Sequence, residues 1–142
     1  MHSIVKKISL CVAVWISCTI HVQAQTASDG VTVYEGQYNC SQGPTHLTIV
    51  AFTPDNQGVQ QAVFAFSPMA QNPTVPVGEF ILSGRVETVP NGILDLRQSR
   101  WIRQPSGFQM VDLVGRVSSD GKSIQGRVIM NGCTDFSVRR LK

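Results

Sequence analysis

Four groups of side chains in this sequence are of types that do chemistry, and each implies a different reaction. Histidine moves protons near neutral pH, and the chain holds three, His2, His21 and His46. Cysteine supplies nucleophiles, metal ligands or disulfides, and it occurs at Cys11, Cys18, Cys40 and Cys133. Two carboxylates, Asp95 and Asp112, are of the kind that hydrolyse glycosidic bonds when they face each other across a substrate. The last group is Arg97, Arg100, Trp101 and Arg103, where guanidinium groups beside an indole can hold an anion, a sugar or an acidic protein surface.

The N-terminus removes much of this inventory. Lys6 and Lys7 precede an apolar run from Ile8 to Ile20, and Val22-Gln23-Ala24 follows it. That is the three-part pattern of a secretory leader. The apolar run is about 13 residues, short of the roughly 20 that a membrane-spanning helix needs. We therefore expect residues 1–24 to be a signal peptide, a single domain over residues 25–142, and a periplasmic or secreted protein with no integral membrane segment after cleavage. Lipoprotein anchoring at Cys18 is disfavoured, because Trp15 occupies the third position back, where a leucine-like residue belongs.

Without the leader, His46 is the one remaining histidine, and Cys40 and Cys133 are the remaining cysteines. Two cysteines in an oxidising compartment predict one bridge, and a Cys40–Cys133 disulfide closes a loop of about 94 residues. A Ser-His-Asp triad would need His46 with a serine such as Ser83 or Ser106, and no nucleophile-elbow pattern surrounds any serine. One histidine and scattered carboxylates assemble no first shell for a metal. The expectation is no catalytic residue, no metal and no cofactor. Twelve basic residues become ten against nine acidic ones once Lys6 and Lys7 leave. A nearly neutral domain lacks the clustered positive surface that nucleic acid requires.

The elements that must position these residues are strands. From Val31 onward, runs of alternating apolar and polar residues are punctuated by turns rich in Gly, Pro, Asn or Asp. The runs are Val31 to Cys40, Thr45 to Thr53, Val59 to Phe66, Val77 to Val86, Ile93 to Arg97, Phe108 to Val117, Ile124 to Met130 and Cys133 to Leu141. Tyr34, Tyr38, Phe64, Phe66, Phe80, Leu82, Leu94, Leu96, Leu113 and Val117 share the inward parity. Asp95 and Asp112 take the outward one, where Arg97 and Arg116 can neutralise them. No segment after the leader sustains a helical apolar period. The fold expected is an all-β antiparallel meander of about eight strands, closed or nearly closed into a small barrel, with a β-sandwich as the alternative. A bridge from the end of the first strand to the start of the last demands that they be neighbours, and closure removes sheet edges.

Two segments break the rhythm. Ser67 to Pro76, with three prolines, is expected to project as an ordered surface loop carrying Met69 and Asn72. Gln98 to Gly107 is expected to be an irregular loop carrying Arg100, Trp101 and Arg103. These two loops, with Arg97, form the expected partner-binding surface.

Tyr34-Glu35-Gly36-Gln37-Tyr38-Asn39-Cys40, Trp101-Ile102-Arg103-Gln104-Pro105-Ser106-Gly107-Phe108, Met110-Val111-Asp112-Leu113 and Gly132-Cys133-Thr134 resemble a family of bacterial exported all-β domains with a single disulfide and no settled function. The resemblance spans nearly the whole mature chain and implies fold and disulfide, with no catalytic residue to carry over. The architecture also resembles the calycin-type barrels, although Tyr34-Glu35-Gly36 stands where their Gly-x-Trp signature belongs. The leading functional expectation is a non-catalytic binding protein for a protein or glycan of the cell envelope, an inhibitor or immunity protein directed at an envelope enzyme being one concrete form. A small-ligand carrier is the alternative, and a carboxylate-dependent hydrolase built on Asp95 and Asp112 comes third.

Overall fold

The computed structural model describes residues 30–141. The expected leader at residues 1–24, its expected cleavage site and Cys18 lie outside the described residues. Eight strands follow in chain order: β1 Val31–Cys40, β2 Gly43–Phe52, β3 Gln60–Ser67, β4 Gly78–Val86, β5 Ile93–Arg103, β6 Asp112–Val117, β7 Ser123–Ile129 and β8 Asp135–Arg140. Every strand pairs antiparallel with its neighbours, and β8 returns to β1, so the sheet closes into a barrel. The described residues contain no helix, so none crosses a membrane as one.

Local chemistry sets the corners. β1 and β2 pair from Val31↔Phe52 to Cys40↔Gly43, leaving the two-residue turn Ser41-Gln42. Gly43 follows it at φ 92°, a conformation that side-chain-bearing residues resist. Asp55 Oδ1 accepts from the Gln57 and Val59 amides, each at 2.9 Å, and so shapes the β2–β3 turn. The inward residues of the alternating runs fill the barrel: Tyr34, Leu47, Phe64, Phe80, Leu96, Leu113, Phe136 and Val138 are all buried. Phe64 stacks on Phe80 with ring centroids 4.5 Å apart, and Tyr38 meets Phe64 edge-on at 5.1 Å. Aromatic pairs of this kind add about 0.5–1.5 kcal/mol beyond their burial.

On the β6–β7 side, glycine makes room for Phe136. A Cβ at Gly126 would lie 2.0 Å from the Val114 carbonyl oxygen and 2.8 Å from the Phe136 ring. Gly115 and Gly126 face each other across the two strands, and the Phe136 ring lies against both.

Closure agrees with the cysteine inference. β1 and β8 pair from Tyr34↔Arg140 to Tyr38↔Phe136, and Cys40 is bonded to Cys133 just beyond that ladder, with Cα atoms 3.8 Å apart. The last strand is shorter than expected, beginning at Asp135. Cys133 sits in the preceding turn, where its amide donates to the Met130 carbonyl at 3.1 Å.

Three further expectations are corrected. The segment after Arg97 is not an irregular loop from its start: β5 runs on to Arg103 beside β4. Register shifts between Glu79 and Phe80 and between Ile81 and Leu82 insert extra residues into β5, and each β-bulge breaks the period-two pattern that marks a strand. Conversely, residues 108–111 belong to a loop, since β6 begins only at Asp112. The proline-rich segment does not project. Met69 and Asn72 form an isolated bridge, Val75 is buried in the core, and Asn72 Nδ2 donates to the Gln42 carbonyl at 2.7 Å and the Pro44 carbonyl at 3.0 Å. That side-chain amide satisfies two carbonyls of the β1–β2 corner, which draws the segment down onto the barrel.

Candidate functional site: the Trp101 flank of the barrel

Trp101 lies opposite Phe80 in the β4–β5 pairing, on the inner parity, where β5 has outrun β6. Its ring meets Phe80 edge-on at 5.1 Å and Phe66 at 6.5 Å, and the indole remains partly exposed. Phe108, from the loop between β5 and β6, stacks on Phe66 at 5.3 Å. An unbroken series of rings thus runs from Tyr38 in the interior through Phe64 and Phe80 to Trp101 at the surface. These edge-on contacts pack the indole against core rings, and a side chain confined in this way loses less entropy on forming a contact.

Beside Trp101 lies a groove of about 410 Å³, walled by Gln98, Gln104, Phe108, Gln109, Met110 and Met130. It adjoins, through Phe108, Gln109 and Met130, a cup of about 350 Å³ at the barrel mouth, where Tyr38, Gln42, Asn131 and the disulfide form the wall. No charged side chain lines either concavity. The floor is held in place by hydrogen bonds: Gln42 Nε2 donates to Tyr38 Oη at 3.2 Å and to Thr45 Oγ1 at 3.3 Å. Burial pushes the Tyr38 phenol well above its usual pKa, against the opposing pull of its hydrogen bonds with Thr45 and Gln42. The hydroxyl therefore stays protonated across the physiological range.

The expected binding residues divide. Arg97 is occupied: its Nε lies 3.0 Å from Asp95 Oδ1, an ion pair without hydrogen-bond alignment, and its Nη1 donates to Asp112 Oδ2 at 3.3 Å. Asp112 Oδ1 also accepts from the Gln98 amide at 2.8 Å. Asp95 and Asp112 thus share one arginine on the outer surface: the Asp112 pair crosses from β6 to β5 as expected, the Asp95 pair lies within β5, and Arg116 is not their partner. Arg100 and Arg103 flank Trp101, are exposed, and have no ion-pair partner among the described residues. Met69 bridges to Asn72, and Asn72 braces the β1–β2 corner that carries Gln42. No family model, curated protein or solved structure matches the chain. Function has to be read from the site itself.

One pairing escaped the sequence reading. His46 Nδ1 lies 3.1 Å from Ser67 Oγ across the β2–β3 ladder, whereas Ser83 sits on β4 and Ser106 in the loop after β5. No acid is hydrogen-bonded to His46 among the described residues, so the third member that would orient the ring as a base has no counterpart here. Only the register of β2 against β3 could have revealed this pair. Among the described residues, no three His, Cys, Asp or Glu side chains gather around a common point.

Proposed function

We propose that the protein is an exported, non-catalytic binding protein that engages a protein or glycan partner of the cell envelope through its Trp101 flank. Inhibition of an envelope enzyme, or immunity against one, is a concrete form of that role. The observation that carries the reading is a partly exposed Trp101, packed on Phe80, flanked by Arg100 and Arg103, which have no ion-pair partner among the described residues, and set beside an uncharged groove. Tryptophan and arginine dominate binding hot spots because they combine large desolvated area with directed polar contact. The disulfide supports an oxidising compartment, periplasmic or secreted.

Stacked rings in the interior favour surface binding over a carrier that encloses its ligand. A carrier would have to use the cup at the disulfide mouth, whose 350 Å³ is at the lower end of ligand-site volumes. A hydrolase draws little support from two carboxylates tied to the same arginine. The test is capture from cell-envelope extract by the processed, oxidised protein. Trp101→Ala with Arg103→Ala is expected to abolish capture, and undiminished capture by that variant overturns the reading.

A further inference from the structure

The barrel is closed only part of the way along β5. β5 and β6 pair from Ile93↔Arg116 to Leu96↔Leu113 and no further, yet β5 continues to Arg103 with β4 on its other side. Among the described residues, the seven from Arg97 to Arg103 therefore have no strand on their second edge. Asp112 caps the Gln98 amide at 2.8 Å. Beyond that point the loop 104–111 folds on itself, Phe108 N donating to the Pro105 carbonyl at 3.3 Å, and makes no backbone hydrogen bond to β5. Unpaired strand edges are templates for another strand, which is why barrels close and why bare edges carry positive charge.

The charge on this edge selects what can pair with it. Arg97 is held by Asp95 and Asp112, but Arg100 and Arg103 have no ion pair among the described residues, Glu79 across from Arg103 included. A second copy of the chain would bring its own arginines against these, so self-pairing is opposed. An acidic strand is attracted. Register adds a second constraint. Arg100 and Arg103 lie opposite Ile81 and Glu79, whereas Trp101 lies opposite the inward Phe80. A strand added here, whose successive side chains point to opposite faces, meets the arginines with one set and Trp101 with the other. That second set enters the uncharged groove beside Met110 and Met130, and flexible methionines accommodate varied apolar shapes.

Resting on the Trp101 flank being the binding surface, we propose that the open edge of β5 takes an extended segment of a partner protein by strand addition, with acidic and apolar residues alternating along it. Main-chain hydrogen bonds supply the pairing and the alternate side chains supply the selectivity. The free length beyond the Gln98 cap, about five residues, corresponds to roughly 17 Å of strand.

The probe is a synthetic ten-residue peptide alternating Glu and Val, offered to the oxidised, processed protein. Two controls accompany it, a Lys-Val peptide of equal length and the Glu-Val peptide N-methylated at alternate amides. Binding is read from Trp101 fluorescence, since the other tryptophan, Trp15, falls in the leader, and from amide hydrogen exchange. The Glu-Val peptide should bind and slow exchange in residues 99–103 by about tenfold or more. Both controls should fail, and Arg100→Glu with Arg103→Glu should weaken binding by at least about tenfold. The N-methyl control leaves the protein unaltered, so it decides the matter even if that variant folds poorly. Absence of binding, equal binding of either control, or binding without protection of 99–103 overturns strand addition. If strand addition fails while Trp101→Ala with Arg103→Ala still abolishes capture from envelope extract, the binding surface stands and only the partner class falls. If capture is undiminished, the surface itself is wrong.

Discussion

Breaking the Cys40–Cys133 bond tests how the barrel is held shut. The two cysteines are 93 residues apart in sequence, so the bond removes from the unfolded chain the freedom of nearly the whole described domain. In the chain-entropy treatment a loop of that size contributes about 4–5 kcal/mol. In the folded state the same ends are already joined by the β1–β8 ladder, Tyr34↔Arg140 to Tyr38↔Phe136, so the native barrel should persist without the bond. The loss should therefore appear almost entirely through the unfolded state. Replacing both residues with alanine should lower unfolding free energy by about 4 kcal/mol. For a domain of this size that is a fall of roughly 15 °C or more in Tm. Urea unfolding followed by circular dichroism should also show a steeper dependence on denaturant, because the uncrosslinked chain expands and exposes more surface. A loss under about 1 kcal/mol with an unchanged slope would show that the bond does not restrain the unfolded chain and would refute the reasoning.

Gly126→Ala places a methyl group against the Val114 carbonyl oxygen and the Phe136 ring; overpacking of that kind should cost about 3 kcal/mol in chemical denaturation, whereas a neutral effect would mean that β6 and β7 are further apart than the pairing implies. Asp112→Ala leaves the Gln98 amide and Arg97 without their acceptor, and should cost about 1–2 kcal/mol while accelerating hydrogen exchange at Gln98. Alkaline titration is informative because Tyr34 and Tyr38 are the chain's two tyrosines and burial raises both phenols, in Tyr34 against the pull of the Arg140 charge. A raised folded pKa means stability that is full below about pH 10 and declines as pH rises above it; the phenolate absorbance band should emerge together with loss of the folded signal, and phenolate formation in a still-folded protein would contradict that burial. At the acid end, hydrogen bonds from Thr134 and then Asn39 hold the Asp135 carboxyl below its usual range. A depressed pKa contributes stability above the ordinary carboxylate range that disappears as pH falls through the folded value, so Asp135→Asn should lower stability at neutral pH and flatten the acid limb, and an unchanged acid limb would exclude the effect.

By itself the amino-acid sequence determined the strand class, most of the corners and the covalent bond. Period-two alternation reports which face each strand buries, and it held where strands pair without interruption, so Tyr34, Phe64, Leu96 and Leu113 were legible as core. Pro90-Asn91-Gly92 and Ser119-Asp120-Gly121-Lys122 were legible as turns because Asn91 and Gly121 adopt positive φ, at 60° and 73°, and few residue types do so cheaply. With residues 1–24 expected to be a leader, the two remaining cysteines have one intramolecular pairing open to them, so Cys40–Cys133 needed no geometry. The tertiary structure decided what depends on neighbours distant in sequence. Two bulges against β4 hid the far half of β5 inside what read as a loop. The late start of β6 left one edge of that strand without a partner strand among the described residues. Arg97 is paired with an aspartate fifteen positions away, and the Asn72 amide is taken up by carbonyls of the β1–β2 corner. Local pattern records how each residue suits its own strand; register, bulges and cross-strand partners arise only when separate strands meet, and those meetings built the Trp101 flank.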